Sequence, residues 1–376
     1  MRVGVNSRLL LKDRLEGIGY FTLKNLERLA KNHPDCEFVL FFDRPYDKDF
    51  VFADNVKPIV IPLPTRHPML WHIYFEILLP IYIRLYKIDV FFSPEGYIPT
   101  RVKTPKLCTI HDINFEHEKT YIGNKVYQRY MEYFTPRFAK SANVVLTVSE
   151  FSKQDIATTY KIDENKIFNV ESSANEEYIT YSKEENEITR ERYSNSCPYF
   201  YFVGSLQKRK NLTNLFRAFD LFKEKTQSNV KLVIVGSKKW WKGEMEDTFS
   251  AMRFKNEVIF TGRLPLEVVD RIASASIGLV FVSFFEGFGV PPLEAYRSST
   301  AVITSNTSSM PEIAGEGALY ADPYNVNSTC EAMIRLYSNP SLREELIKKG
   351  QEQAKKYSWN KTAELVWKAI EKVLKK

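Results

Sequence analysis

Few cysteines and no long apolar run occur in this chain of 376 residues. The four cysteines are scattered, without the spacing of a disulfide framework or of a metal site. We therefore expect reduced thiols, as in cytosolic proteins. No uninterrupted apolar segment is long enough to span a bilayer, and the N-terminal MRVGVNSRLL lacks the apolar region of a secretory signal. These absences predict a cytoplasmic location and leave peripheral contact with the inner face of a membrane open.

The charge of the chain is modest for its length, with a formal net value of +7. Such an excess is compatible with anionic substrates or with an acidic membrane surface. The basic residues form no single stripe, which argues against nucleic acid as a partner. An apolar content of 44% predicts a packed globular protein, and the length favours two or three domains.

Short apolar strands alternate with amphipathic helices along the chain, which predicts an α/β fold. A charged, strand-poor segment at 176–198 is typical of a domain junction, and we place the boundary near Lys183. The aromatic-rich segment 68–94 allows two interpretations. It forms either a buried helix that is broken at Pro80 or a surface that meets a lipid-linked acceptor or the bilayer.

The most informative segment is FVSFFEGFGVPPLEA, at 281–295. An apolar strand is followed by a glycine turn and then by Pro291-Pro292, which suits the first turn of a helix. Amides at such a helix start lack intrahelical partners and favour a phosphate group. Glu286 and Glu294 frame this turn, and carboxylates bind the hydroxyls of a sugar or a ribose. Together these groups predict a sugar-nucleotide site.

Another predicted strand, YFYFVG at 199–204, leads to three successive cations at 208–210 and then to a helix. Basic residues at a helix start oppose the helix dipole, so they need another reason. One reason is the binding of a diphosphate, and the alternative is a solvated basic face.

The spacing of Glu286 and Glu294 around GFGVPPL resembles the E-x7-E signature of retaining family-4 glycosyltransferases, which have the GT-B fold. The resemblance continues through SNTSSMPE at 305–312, and it is close over the last half of the chain and looser over the first. It implies an α/β protein of two Rossmann-like domains that face each other across a cleft. We expect an acceptor-side domain at 1–183, a nucleotide-sugar-binding domain at 184–358, and a C-terminal helix at 359–376 that crosses back to the first domain.

The resemblance also implies a role for individual residues. Arg209 and Lys210 would bind the donor diphosphate, and His111, which follows an apolar strand, would approach the donor sugar. Glu294 would accept from ribose hydroxyls and Glu286 from sugar hydroxyls. The expected catalytic residues are His111, Arg209, Lys210 and Glu286. The expected donor-binding residues are Gly17, Gly19, Gly204, Phe288, Gly289, Val290 and Glu294.

The sequence departs from the family pattern in two places. Tyr20 follows Gly17-Ile18-Gly19, where relatives often have a basic residue, which puts a charge role there in doubt. After Glu294 the chain continues AYRSST, where relatives commonly have small residues and a glycine. Arg297 and Ser299 therefore either alter the packing behind the nucleotide or are tolerated.

By this resemblance the reaction is retaining glycosyl transfer from a nucleotide-diphosphate sugar to a saccharide or lipid-linked saccharide, in surface polysaccharide synthesis. The segments resemble a mannosyltransferase subgroup, so GDP-mannose is a first guess for the donor. Two alternatives remain open: a sugar-nucleotide epimerase of the same fold, and a weakly catalytic partner subunit that binds a nucleotide sugar. We expect no metal and no cofactor besides the donor, although Asp47-Lys48-Asp49 forms a D-x-D string.

Overall fold

The computed structural model describes residues 1–12, 15–65, 67–121, 125–174, 181–238 and 241–375. The chain divides into two compact units, and one of them is discontinuous in sequence. The first unit contains Met1–Ser172 and Ser358–Lys376, and the second contains Ser173–Tyr357. Among the described residues, no helix combines the length and the hydropathy needed to cross a membrane.

The first unit is built on a parallel sheet in the order β3-β2-β1-β4-β5-β6-β7. Its strands are mostly apolar and buried, as expected when helices cover both faces of a parallel sheet. The order reverses between β1 and β4, and α/β sheets bind ligands at such a reversal. The strands are β1 (Arg2–Asn6), β2 (Glu37–Phe42), β3 (Val56–Val60), β4 (Val90–Ser93), β5 (Lys106–Thr109), β6 (Val144–Thr147) and β7 (Ile167–Asn169).

Six helices of the first unit lie between these strands within the described ranges. They are α1 (Gly17–Asn32), α2 (Pro68–Ile73), α3 (Leu79–Leu85), α4 (Asn114–His117), α5 (Lys125–Ser141) and α6 (Glu150–Tyr160).

Helices α2 and α3 are joined without a break by a π-helical turn, Tyr74–Leu78. The sequence predicts a break at Pro80, because proline has no N–H for the carbonyl four residues earlier and its ring crowds that carbonyl. The structure instead widens the helix just before Pro80, which relieves the crowding and lets the helix continue to Leu85. The predicted break is therefore replaced by a local change of helix type.

The second unit repeats the arrangement of the first with the order β10-β9-β8-β11-β12-β13, again all parallel. Its reversal lies between β8 and β11. The strands are β8 (Tyr199–Val203), β9 (Lys231–Val235), β10 (Val258–Gly262), β11 (Gly278–Phe281), β12 (Val302–Ser305) and β13 (Ala318–Ala321). The helices are α7 (Lys183–Ser194), α8 (Leu212–Thr226), α9 (Glu244–Ala251), α10 (Leu266–Ser274), α11 (Val290–Arg297), α12 (Met310–Ala314), α13 (Val326–Ser338) and α14 (Pro340–Ala354).

The last helix, α15 (Trp359–Leu374), packs on α1 within the first unit. Trp359 contacts Tyr20 at 6.0 Å between ring centroids, and Trp367 stacks on His33 at 3.5 Å. Arg28 Nε donates to Asn360 Oδ1 at 2.7 Å. These contacts place the C-terminal segment with the N-terminal helix.

The division between the units falls after Ser172, earlier in the chain than the position near Lys183 that the sequence suggests. The charged junction segment is not a linker over its described part. From Lys183 it forms α7, which begins with a capping box between Ser182 and Glu185. Arg190 Nε donates to the carbonyl of Ala275 at 2.8 Å, which fixes α7 in the second unit. Residues 176–180 of that segment lie outside the described residues.

Candidate functional site

Two loops meet at the point where the strand order of the second sheet reverses. The first, which we call the cation loop, follows β8 and contains a short helical turn, Lys208–Lys210. The second, the glutamate loop, follows β11 and contains Glu286. Because β8 and β11 are adjacent parallel strands, their carboxyl ends bring these loops together although they are far apart in sequence.

Glu286 binds two cations at once. Its Oε2 accepts from Arg209 Nη1 at 2.7 Å, and its Oε1 accepts from Lys210 Nζ at 2.6 Å. Glu286 is 4% exposed and Lys210 is 9% exposed, whereas Arg209 is less enclosed. Three of the four residues predicted to be catalytic are therefore in direct contact.

The two cations leave this cluster with an excess of one positive charge. Burial raises the pKa of the Glu286 carboxyl, but Arg209 and Lys210 outweigh it and hold that pKa at about 2. The carboxylate therefore stays ionised at neutral pH and neutralises only one cation. The remaining charge suits an anion, because charge-assisted bonds from Arg and Lys are the strong contacts for phosphate.

Backbone and amide contacts fix the cation loop against the glutamate loop. Asn211 has φ 60°, and its Nδ2 donates to the carbonyls of Val282 at 3.0 Å and Pro323 at 2.8 Å. The amide of Phe284 donates to the carbonyl of Arg209 at 2.9 Å. Asparagine tolerates this left-handed conformation and can bond with its side chain, which accounts for its place in the R-K-N segment.

Ser308 and Ser309 hold the glutamate loop from the other side. The amide of Glu286 donates to Ser308 Oγ at 3.1 Å. Ser309 Oγ lies 2.9 Å from the carbonyl of Glu286 and 2.9 Å from that of Phe288, so the hydroxyl donates there. The S-N-T-S-S-M-P-E segment thus positions the glutamate.

Gly289 directly precedes helix α11, as the sequence predicts. It has φ +87°, and a Cβ there would lie 2.3 Å from Met310 Cε. Glycine therefore satisfies both the backbone conformation and the close packing. The amides of Phe288, Gly289 and Val290 come before the first full turn of α11 and have no intrahelical acceptor.

Gly204 directly follows strand β8 and has φ +146°. Its carbonyl oxygen would lie 2.0 Å from a Cβ built on Gly236, the residue that directly follows the neighbouring strand β9. The backbones approach so closely here that position 236 must be glycine.

Glu294 lies one turn into α11, beyond the first helical turn in which the sequence places it. Its side chain is partly exposed, and no hydrogen bond joins its carboxyl to another described residue. Burial and, to a smaller degree, the charge of Asp270 raise the pKa of Glu294 to about 7, while Arg297 opposes the rise. Asp270 is itself a buried carboxyl whose pKa burial raises to about 6. Glu294 therefore offers acceptor oxygens that no hydrogen-bond donor among the described residues occupies.

Arg297 has a structural place behind α11 and is 5% exposed. Its Nη2 donates to Ser173 Oγ at 3.3 Å and to the carbonyl of Tyr357 at 3.0 Å. These are the first and last residues of the second unit. The departure from the family pattern at this position thus joins the two ends of the unit.

The other predicted site residues lie in the first unit. Gly17 and Gly19 form the first turn of α1 and not the loop before it, because the helix begins at Gly17. A Cβ on Gly19 would lie 2.7 Å from the carbonyl oxygen of Leu9, so glycine is needed for packing there. Gly17 has open space around it, and no packing contact requires glycine at that position.

His111 follows β5, and a hydrogen bond orients its ring. Its Nε2 lies 2.9 Å from the carbonyl oxygen of Pro94, and its ring packs edge-on against Phe21 at 5.0 Å. A carbonyl oxygen only accepts, so Nε2 must carry the proton. Burial lowers the pKa of His111, which leaves the ring neutral at pH 7 with Nδ1 as an acceptor.

The sequence analysis missed a buried ion pair at the strand reversal of the first unit. Arg8, two residues past β1, makes a bidentate contact with Glu95, two residues past β4, and the Arg8 Nη2 to Glu95 Oε2 distance is 2.7 Å. Asn6 Nδ2 donates to Glu95 Oε1 at 2.6 Å. The signal was an arginine and a glutamate at the ends of the first and fourth strands, which the strand order makes neighbours.

The D-x-D string of the first unit binds a lysine. Asp47 and Asp49 both bind Lys12, at 3.0 and 3.2 Å, and Asp47 accepts from the amide of Asp49. Across the described ranges, no group of three or more His, Cys, Asp or Glu side chains is arranged to hold a metal ion.

Comparison with known families agrees with this organisation. Residues 184–353 match the model described as Glycosyl transferases group 1, and residues 16–170 match the model described as Glycosyltransferase Family 4. The two matches fall on the second unit and the first, respectively.

Similar proteins include two bacterial sugar transferases. The O-antigen chain mannosyltransferase B of Escherichia coli is 27% identical over 362 residues, which covers 93% of this chain and 94% of that protein. The O-antigen chain mannosyltransferase RfbU of Salmonella typhimurium is 26% identical and covers 77% of each chain. Among solved structures, the sucrose-phosphate synthase of Thermosynechococcus elongatus superimposes with a TM-score of 0.80 at 15% identity, over 99% of this chain and 98% of that one. That similarity identifies the fold as GT-B.

Proposed function

We propose that this chain, which belongs to the glycosyltransferases of group 1 and family 4, is a retaining hexosyltransferase. It is related to O-antigen mannosyltransferases. In this proposal a hexose moves from a nucleotide-diphosphate sugar to a saccharide or lipid-linked saccharide. The bond between the anomeric carbon and the diphosphate breaks, and the acceptor oxygen bonds to the same face of that carbon.

The observation that supports the proposal most strongly is the surplus positive charge around Glu286. A diphosphate leaving group gains negative charge in the transition state, so fixed cations accelerate the reaction. Arg209 and Lys210 are held in place by the carboxylate and do not need to reorganise when the charge appears. The amides of Phe288, Gly289 and Val290 add donors at the start of α11.

The remaining residues receive roles that fit their chemistry. Glu294 accepts from the ribose hydroxyls, because its carboxyl has no partner among the described residues. His111 offers Nδ1 as an acceptor to a substrate hydroxyl. Glu286 orients the cations and accepts from a donor-sugar hydroxyl with a remaining lone pair. Gly204, which follows β8, leaves the backbone beside Lys210 open to the donor.

GDP-mannose is the proposed donor, because the relatives of this chain are named as O-antigen mannosyltransferases. The same names support a role in surface polysaccharide synthesis. We place the enzyme in the cytoplasm, in peripheral contact with the inner face of the membrane, where a lipid-linked acceptor would be found. Cations and helix-start amides neutralise the diphosphate in this proposal, so no divalent metal is needed.

The test is a donor and acceptor panel with the full chain. Thermal shifts with GDP, UDP and their sugars identify the base, since a ligand at 100 times its Kd stabilises by about 2.7 kcal/mol. The product of the best donor is then examined by NMR for its anomeric configuration. A product with inverted configuration contradicts the retaining mechanism, and a preference for UDP-sugars contradicts GDP-mannose.

The two alternatives give different products. An epimerase converts the nucleotide sugar without an acceptor, whereas a transferase releases nucleotide only when an acceptor is present. A weakly catalytic binding subunit gives a thermal shift but no product in a single-turnover experiment.

A further inference from the structure

The helix that runs from α2 through the π turn into α3 carries apolar residues on two faces, one buried and one exposed. One face carries Tyr74, Phe75, Leu79 and Ile83 into the core of the first unit. The other carries the outward stripe, which we define as Met69, Ile73, Ile77, Ile81 and Leu85. These side chains are 69, 37, 52, 56 and 67% exposed. Contiguous exposed apolar patches on a soluble fold mark interaction sites.

The π turn helps to keep the outward stripe on one side of the helix. Its members recur every four residues, and an α-helix has 3.6 residues per turn, so each step drifts by about 40° around the axis. A π turn has i→i+5 hydrogen bonds and more residues per turn, so the drift reverses within it. Because the turn Tyr74–Leu78 lies at the middle of the stripe, it reduces the total drift.

Helix α5 lies beside this helix and presents a cationic face to solvent. Trp71 packs against Tyr127 and Tyr130 of α5, and the ring of His72 lies 5.7 Å from that of Phe134. The exposed residues of α5 are Lys125, Val126, Arg129, Tyr133, Arg137 and Lys140. Among the exposed residues described in α2, the π turn, α3 and α5, none is acidic.

We propose that the outward stripe and the cationic face of α5 together bind the surface of an anionic lipid bilayer. The stripe has the length and the apolar side chains of a helix that lies in the plane of the membrane interface. The lysines and arginines of α5 bind anionic headgroups, and Tyr133 is suited to the headgroup level. The surface belongs to the membrane contact that the proposed function includes, but it does not depend on the transfer reaction.

Charge favours a bilayer over a second copy of the chain as the occupant. A two-fold dimer through this surface would bring two faces of the same positive charge together. Helix α14 differs in this respect, because its exposed residues include Glu344 and Glu345 as well as Lys348 and Lys349. The uniform positive sign of the surface proposed here complements anionic lipid.

The test uses the full chain and vesicles of phosphatidylcholine with or without phosphatidylglycerol. Sedimentation should recover the protein with the anionic vesicles only, and added salt should weaken the binding because charge contributes to it. The double variant Ile81→Ser with Leu85→Ser removes apolar side chains, and Arg129→Glu with Lys140→Glu reverses two charges. Each should weaken binding to the anionic vesicles by about tenfold or more.

Matched controls come from the second unit. Ile188 is 64% exposed and Lys348 is exposed, and neither belongs to the surface proposed here. Ile188→Ser and Lys348→Glu should bind vesicles as the unmodified chain does. Because all the substituted side chains are exposed, the melting temperatures should stay close to that of the unmodified chain, which separates loss of binding from loss of folding.

Three results would overturn the inference. The unmodified chain could ignore anionic vesicles, both double variants could keep their binding, or sedimentation velocity could show a dimer that Ile81→Ser with Leu85→Ser dissociates. Transfer to a water-soluble acceptor gives an independent readout. If vesicle binding is present and transfer is absent, the proposed function fails and the lipid surface stands. If transfer is normal and vesicle binding is absent, the lipid surface alone fails.

Discussion

The two units place an arginine and a glutamate at corresponding positions, yet they use them differently. In each sheet an arginine follows the first strand and binds a glutamate that follows the fourth, Arg8 with Glu95 and Arg209 with Glu286. In the first unit one cation meets one carboxylate, and aromatic rings of Trp71, Phe75 and Tyr97 surround Arg8 at 4.6–5.6 Å. In the second unit Lys210 adds a further cation.

In the proposed function, that one additional lysine is what distinguishes the anion site of the second unit from the structural pair of the first. The pair in the first unit is neutral and enclosed, with side-chain exposures of 8 and 6%. It has no charge left for a ligand and stabilises the loops that it joins. The cluster in the second unit has a surplus cation and a more accessible arginine, so it can bind a diphosphate.

The largest expected effect comes from breaking the neutral pair. Arg8→Ala leaves Glu95 buried without its cation, and the loss of one partner of a buried ion pair lowers the free energy of unfolding by about 3–5 kcal/mol. Denaturant unfolding measures this loss. The double variant Arg8→Met with Glu95→Met should recover much of it, because no uncompensated charge remains. If Arg8→Ala unfolds like the unmodified chain, the pair is not structural.

Removing the additional lysine should affect catalysis more than stability. Lys210→Ala should lower kcat by about 10²–10³-fold, because the leaving diphosphate loses a fixed positive charge. Steady-state kinetics with the identified donor and acceptor measure it. Lys208→Ala is the matched control, since Lys208 is the exposed cation of the same turn, and no hydrogen bond to Glu286 is described for it. An unchanged kcat/KM for Lys210→Ala would remove this residue from the mechanism.

Glu294 should give the second unit a characteristic pH dependence. Its pKa is about 7 in the folded chain against an ordinary value of 4.5, so the folded state binds more protons between these values. Stability then falls as the pH rises from about 4.5 to 7, by on the order of 3 kcal/mol in total. Glu294→Gln removes this contribution. Between pH 5 and pH 8 the melting temperature of the variant should therefore rise relative to that of the unmodified chain. If the difference between the two melting temperatures stays constant over this pH range, the raised pKa of Glu294 is contradicted.

Nucleotide binding separates the two glutamates. Ribose hydroxyls donate to a carboxylate, so the affinity of the unmodified chain for the nucleoside diphosphate should rise through pH 7 more steeply than that of Glu294→Gln. Calorimetry at several pH values measures how steeply the affinity of each chain depends on pH. In Glu294→Gln this dependence reports the titration of the phosphates alone. Glu286→Gln should retain most of the nucleotide affinity and impair transfer. Equal losses of affinity in both variants would refute this division of roles.

The smallest effect is expected at the D-x-D string. Asp47→Ala with Asp49→Ala releases only the surface contacts with Lys12, so the rate of transfer should stay near normal. Excess EDTA should leave it unchanged as well. If EDTA abolishes transfer and Mg²⁺ or Mn²⁺ restores it, the surplus cation of the second unit is not sufficient, and the contrast between the units loses its functional meaning.

The sequence predicts the α/β class, the position of the helix start at 288–290 and the placement of candidate residues after apolar strands, because apolar runs and glycine turns are local signals. The family resemblance supplies the GT-B architecture, and comparison with solved structures confirms it. The sequence does not predict that Glu286 binds Arg209 and Lys210, since that contact depends on the pairing of β8 with β11. For the same reason it does not reveal the Arg8–Glu95 pair. The residue roles inferred from the resemblance remain predictions.

Two segments show where local signals mislead. Pro80 predicts a broken helix, but the wider π turn absorbs the proline without ending the helix. The charged segment after 176 predicts a linker, but from Lys183 its capping box starts a helix. In both cases a backbone hydrogen-bond pattern decides the outcome, and composition alone does not describe it.

Arg297 has a consequence for the architecture of the chain as a whole. One nitrogen of its guanidinium binds both Ser173 and Tyr357, so the two ends of the second unit lie close together. A unit whose ends meet has the geometry of a domain inserted into a host. The chain therefore enters and leaves the second unit at one place, and the unit is continuous in sequence between these two points.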